Sequence, residues 1–207
     1  MAARVNYKFV IILTAVLVGV CAAGIAAYVF VIDKSGQSWA DDGDEAMAAG
    51  QYADAVKAYG RAVGHERANV EWLEKWANAM EQLTFDDRGA YTRAFQQYVP
   101  VIRQIARVKQ RDLDAHLAYF DLMFAQSGGN NPRPLAEVLN NEVEAVLPML
   151  DAAGSSGEVI RRYRGLAFVQ VLAATGELPE NEFERTEADL RSALAADPTD
   201  GQAATSL

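Results

Sequence analysis

A single cysteine, Cys21, stands in all 207 residues, so no internal disulfide can form. At this length a soluble part can bury a sizeable core and needs neither a disulfide nor a metal to fold. Histidine is nearly as scarce, with two copies. Asp112 and His116 share one helix face and Asp114 lies near, but two such groups fall short of a coordination set, and no metal is expected. His65 falls at a helix end, where it meets the carbonyl dipole. No glycine loop leads into a Lys-Ser/Thr pair, and no nucleophile elbow is present. Gly128-Gly129-Asn130-Asn131-Pro132 reads as a turn, because no strand precedes it to make a phosphate cradle. These absences predict no cofactor and no catalysis. Basic residues are also in short supply: 19 Lys+Arg face 28 Asp+Glu, a net charge of −9. Such acidity opposes nucleic-acid binding, which relies on basic surface to neutralise phosphates.

What the chain does have is an apolar run without one charge, from Phe9 to Ile32. As a helix, 24 residues at ~1.5 Å each rise about 36 Å, enough for a hydrocarbon core of ~30 Å. The run therefore predicts a single transmembrane helix over 9–32, after a tail of residues 1–8 and before a linker over 33–38. Arg4 and Lys8 precede it and the acidic stretch Asp41 to Glu45 follows, so the N-terminus is expected in the cytoplasm. The remainder would then be periplasmic or extracellular, a single-pass membrane location. The rival reading is a cleaved secretory signal, with Gly24-Ile25-Ala26 as its site, but apolarity continues past that point to Ile32. Gly19, Ala23 and Ala27 share a face at a spacing of four, through which two spans can approach and self-associate; alanine-rich spans also produce this spacing by composition alone. All the acids and all but two of the basic residues lie beyond the run, leaving residues 33–207 at −11.

Past Ser38, apolar residues recur at three- and four-residue intervals, and no stretch alternates as a strand would. Gly, Pro, Asn and Asp mark the breaks. The pattern predicts an all-α chain with helices over 37–49, 52–64, 69–83, 89–109, 111–126, 133–152, 157–175 and 180–196. Short connectors make these antiparallel neighbours, and Pro100 is expected to kink or shorten its helix at ~3 kcal/mol.

The first pair carries Trp39, Gly43, Ala46, Gly50, Tyr52, Ala55, Tyr59 and Ala62. This spacing resembles a tetratricopeptide repeat (TPR), of the kind found in membrane-anchored bacterial proteins. Gly43 and Ala55 are small where the helices would cross, Gly50 permits the turn, and Tyr52 and Tyr59 supply bulk. Asp42, Ala46 and Arg67 depart from the pattern. A second copy lies over Val70–Arg103, with Leu73, Trp76, Ala77 and Met80, then Gly89, Tyr91, Ala94, Tyr98 and Val101, and extra residues around Phe85-Asp86-Asp87. Gly176, Leu190, Ala193, Leu194 and Pro198 match the end of a further repeat, whereas 104–153 keeps only the hairpin period. An ordinary helical bundle is the plainer alternative. The resemblance implies a TPR-like α-solenoid of about four helical hairpins over 39–207, which holds a protein or peptide in a concave face.

By that resemblance the binding face takes Gln37, Ala40, Asp44, Met47 and Ala48 from the first helix, then Glu71, Glu74, Asn78, Glu81 and Gln82. These residues suit a basic or polar peptide, although the glutamates also make an ordinary solvated helix face. Arg103, Arg107 and Arg111, and later Arg161, Arg162 and Arg164, read as solvated faces or internal pairs. The expected function is a membrane-anchored protein-protein interaction scaffold. Two alternatives are the docking or sensor arm of a longer envelope enzyme or secretion component, and a self-associating envelope assembly factor. No capping helix is visible after Pro198.

Overall fold

The computed structural model describes residues 14–23, 34–125, 131–155 and 157–207, and all its regular structure is helical. The helices are α1 (Gly36–Ala48), α2 (Tyr52–His65), α3 (Val70–Glu81), α4 (Arg88–Val108), α5 (Leu113–Ala125), α6 (Arg133–Ala152), α7 (Glu158–Thr175), α8 (Glu180–Ala196) and α9 (Gly201–Ser206). The eight expected from periodicity match α1 to α8 to within two residues at each end.

The transmembrane expectation is corrected. Among the described residues no helix is long and apolar enough to cross a membrane, which overturns both the span over 9–32 and the single-pass membrane location drawn from it. Residues 14–23 are helical and exposed. The rest of the expected span, 9–13 and 24–32, lies outside the described residues, as does the tail over 1–8. Of the proposed self-association face, Gly19 has open space where a Cβ would stand, Ala23 is exposed, and Ala27 lies outside the described residues.

The chain divides into two compact units, Met1–Glu66 and Arg67–Leu207. In the first, α1 packs along α2. Ser35 starts α1 by accepting a hydrogen bond from the Ser38 amide at 3.1 Å. Gly36, Ala40 and Gly43 form the buried stripe of α1, against Ala55, Ala58, Tyr59, Ala62 and Val63 of α2. The turn between them passes through Gly50 at φ 70°, a left-handed conformation that a side chain would strain. At Gly43 the constraint is space: a Cβ there would stand 2.5 Å from the Tyr59 ring.

In the second unit α3 packs on α4, α4 on α5, α6 on α7, α7 on α8, and α5 reaches α7. Caps explain where several of these helices begin: Asn69 accepts from the Trp72 amide, Asp87 from Ala90, and Asp112 from Ala115. Pro100 lies inside the 21-residue α4 and does not shorten it. Its missing N–H leaves the Gln96 carbonyl without its i+4 helical donor, at a place in α4 where both residues are exposed. The main core joins α5, α6 and α7 through Phe120, Leu139, Val143, Leu150, Ile160 and Phe168. A smaller one, Leu166, Leu190 and Ala203, joins α7, α8 and α9. Helix α9 was not anticipated from the sequence. Asp200 caps it by accepting from the Gln202 and Ala203 amides, each at 3.1 Å.

Candidate functional site

The residues expected to face a partner fall in both units. In the first, Gln37 donates to Asp41 at 2.8 Å, Asp44 accepts the Tyr59 hydroxyl at 2.7 Å, and Met47 is half-buried. Ala40, read as an exposed position of that face, is fully buried beneath α2 because it shares the stripe of Gly36 and Gly43. Ala48 is exposed. In the second unit Glu71 pairs with Lys75 at 2.9 Å, Glu74 pairs with Lys109 at 2.5 Å, and Glu81 accepts the Tyr98 hydroxyl. Asn78 and Gln82 are exposed. All three α3 carboxylates expected to meet a ligand are thus taken up within the chain, one of them by a tyrosine rather than a cation.

The repeat-signature residues divide in the same way. Ala55, Tyr59 and Ala62 are buried, Tyr52 is half-buried, and Trp39 lies half-buried between Lys34 at 4.9 Å and Arg61 at 4.3 Å from its ring centre. Further along, Ala193 is buried, Leu194 is half-buried, Pro198 is exposed, and Gly176 ends α7 at φ 77°. The second set behaves differently. Gly89 is exposed, Ala94 and Tyr98 are half-buried, and Tyr91 is 52% exposed.

Tyr91, Phe95 and Tyr98 recur at spacings of four and three, so they share one face of α4. The six residues that connect α3 to α4 bring Phe85 to that face. Its ring meets Tyr91 edge-on at 5.6 Å, and Tyr91 stacks on Phe95 at 5.8 Å. With Met80, Leu83 and Ala94 these rings enclose a groove of about 310 Å³. Among the described residues lining it, Glu81 is the single charged side chain. Burial first, and then the hydrogen bond to Glu81, raise the Tyr98 hydroxyl well above its ordinary pKa, so this phenol stays protonated and keeps donating to the carboxylate.

The groove is a set of aromatic faces beside one carboxylate. The negative π-faces and the carboxylate attract the same object, a cation with an apolar stem. The resemblance makes Tyr91 a repeat-signature position; the sequence feature that sets it apart is the extra segment Phe85-Asp86-Asp87, which breaks the repeat spacing. Asp86 and Asp87 sit exposed beside it, and Asp87 is also the cap of α4.

The remaining candidates are structural. His116 is buried, with Nε2 3.1 Å from the Gln110 carbonyl, and Asp112 caps α5. Among the described residues no group of three or more His, Cys, Asp or Glu side chains could hold a metal ion. His65 is exposed at the last position of α2. Arg164 is buried and donates to both oxygens of Asp189 at 2.6 and 2.7 Å and also to Glu144. Arg162 approaches Asp200 at 3.5 Å. No family model matches this chain, and no curated protein or solved structure does so either.

Proposed function

We propose that this chain is a protein-binding module built from TPR-like helical hairpins, and that its second unit receives a cationic side chain of a partner protein in the groove between α3 and α4. One observation carries the reading: Phe85, Tyr91, Phe95 and Tyr98 surround a groove whose lining has one charge, the Glu81 carboxylate. Arginine or lysine fits it, since the stem lies along Met80 and Leu83 while the head meets ring faces and Glu81. The module binds and does not catalyse. The repeat-like spacing of α1 and α2 supports the same class, because helical-hairpin repeats serve mainly to hold other proteins.

The test is fluorescence anisotropy of the full chain against labelled peptides identical except for one central residue: arginine, lysine, or uncharged norleucine. A cation on aromatic faces is worth ~1–2 kcal/mol, so the basic peptides should bind about 5- to 30-fold tighter than norleucine. Tyr91→Ala should remove most of that preference while helix content stays unchanged by circular dichroism. Equal binding of norleucine and arginine would rule out the cation pocket.

A further inference from the structure

A second cavity, on the far half of α4, has the opposite chemistry. Its volume is about 340 Å³, and Arg103, Arg107 and Gln110 line it from α4 and its end, His116 and Tyr119 from α5, and Glu142 from α6. Two guanidinium groups face one carboxylate, so the lining has a local charge of +1 in a chain whose net charge is −9.

The two arginines are differently engaged. Arg103 donates through Nη2 to Glu142 and lies 6.0 Å over the Tyr119 ring, but its Nε is buried without a hydrogen-bond partner. That Nε is closed to solvent, so what the cavity meets is the rest of the guanidinium, on a side chain that is 40% exposed. Arg107 is exposed and makes no ion pair among the described residues. His116 is a wall rather than a donor: a carbonyl only accepts, so Nε2 carries its proton toward Gln110 and holds the α4 to α5 connector in place. The floor is apolar, with Val146 buried and Met149 half-buried.

We infer that this cavity binds a small monocarboxylate with a compact apolar body, its carboxylate held by Arg107 with the Arg103 guanidinium beside it and its body resting on Val146 and Met149. A single negative charge matches the local surplus. At roughly 30 Å³ for each water-sized group, the cavity holds on the order of ten non-hydrogen atoms, the size of a branched or aromatic acid. The groove at Tyr91 plays no part, so this inference stands apart from the function proposed above.

Isothermal calorimetry on the full chain would use 4-methylpentanoate, its neutral amide, acetate and inorganic phosphate as probes. The expected order is 4-methylpentanoate first, acetate weaker for want of the apolar body, and the amide at least tenfold weaker for want of charge, as loss of a charge-assisted hydrogen bond implies. Arg107→Gln should weaken the acid about tenfold, Arg107→Lys should recover part of that, and Tyr91→Ala should change nothing. Amide binding equal to the acid, no acid binding by the folded chain, or an unaltered affinity in Arg107→Gln would each overturn the inference. Phosphate binding tighter than the acid would overturn the monocarboxylate assignment.

Discussion

Gly43 and Tyr59 show how one residue sets the distance between two helices. The Tyr59 ring is 2% exposed and its hydroxyl donates to Asp44, so the ring cannot swing aside to admit a new methyl group. Glycine inside a helix is intrinsically less favourable than alanine by ~1 kcal/mol, so Gly43→Ala would stabilise an isolated α1. Here the overpacking term of ~1–3 kcal/mol opposes that gain, because the added Cβ would stand 2.5 Å from the ring. The expected net result is a loss of about 1 kcal/mol, seen as faster amide hydrogen exchange across α1 and α2. Exchange that slows in Gly43→Ala would show that propensity wins and that the helices are not held this closely.

At the scale of elements, the pairing of α7 with α8 rests on an ion pair rather than on apolar contact alone. Arg164 and Asp189 are both nearly inaccessible, at 4% and 2%, and they meet through two parallel hydrogen bonds. Gly165 beside Arg164 permits the close approach, since a Cβ there would lie 2.9 Å from Leu190. Removing Asp189 leaves the buried Arg164 with Glu144 alone, whose side chain is 59% exposed. Asp189→Ala should therefore destabilise the second unit by ~3–5 kcal/mol, measured as a lower urea midpoint. Replacing both by apolar residues, Arg164→Met with Asp189→Leu, should cost much less, because the one charge then left without its partner is Glu144, which water reaches. A double variant as unstable as Asp189→Ala would argue that packing geometry, not the stranded charge, is at fault. Arg103, whose stripe reads from the sequence as a solvated face or an internal pair, pairs with Glu142 on α6.

Across the whole molecule, buried tyrosine hydroxyls form a shared alkaline limit. Tyr59, Tyr98 and Tyr163 are raised well above the ordinary phenol value by burial and then by hydrogen bonds to Asp44, Glu81 and Asp121. Tyr119 is raised by burial and then by Glu142. In each case the folded pKa exceeds the unfolded value of about 10, so the folded state holds these protons more tightly. Their contribution is complete below that pH and is lost as pH rises through it toward the folded values. Ultraviolet titration of tyrosinate should show one population ionising near pH 10 and another ionising only as helix content falls. A single step near that pH with the helices intact would contradict the buried hydrogen bonds.

The sequence by itself determined the helices. Period, caps and breakers are local, and Ser35, Asn69 and Asp87 act within three residues of themselves, so α1 to α8 were legible to within two residues. It also determined the close small-large stripe of α1 and α2, since Gly43, Ala55 and Tyr59 repeat at helical spacing. Helix α9 was missed because six residues have no readable period, and what holds it is burial of Ala203 and the Asp200 cap. The apolar run over 9–32 had the composition of a span, but crossing needs one long continuous helix, and among the described residues none meets that condition. Tertiary structure alone decided which side chains remain available. Glu74 and Lys109 are far apart in the chain yet pair, which removes an expected ligand contact, while the six-residue connector after α3 sets Phe85 beside Tyr91 and leaves an aromatic groove open. Spacing along a helix says which residues share a face; only the packing of other helices says whether that face is covered.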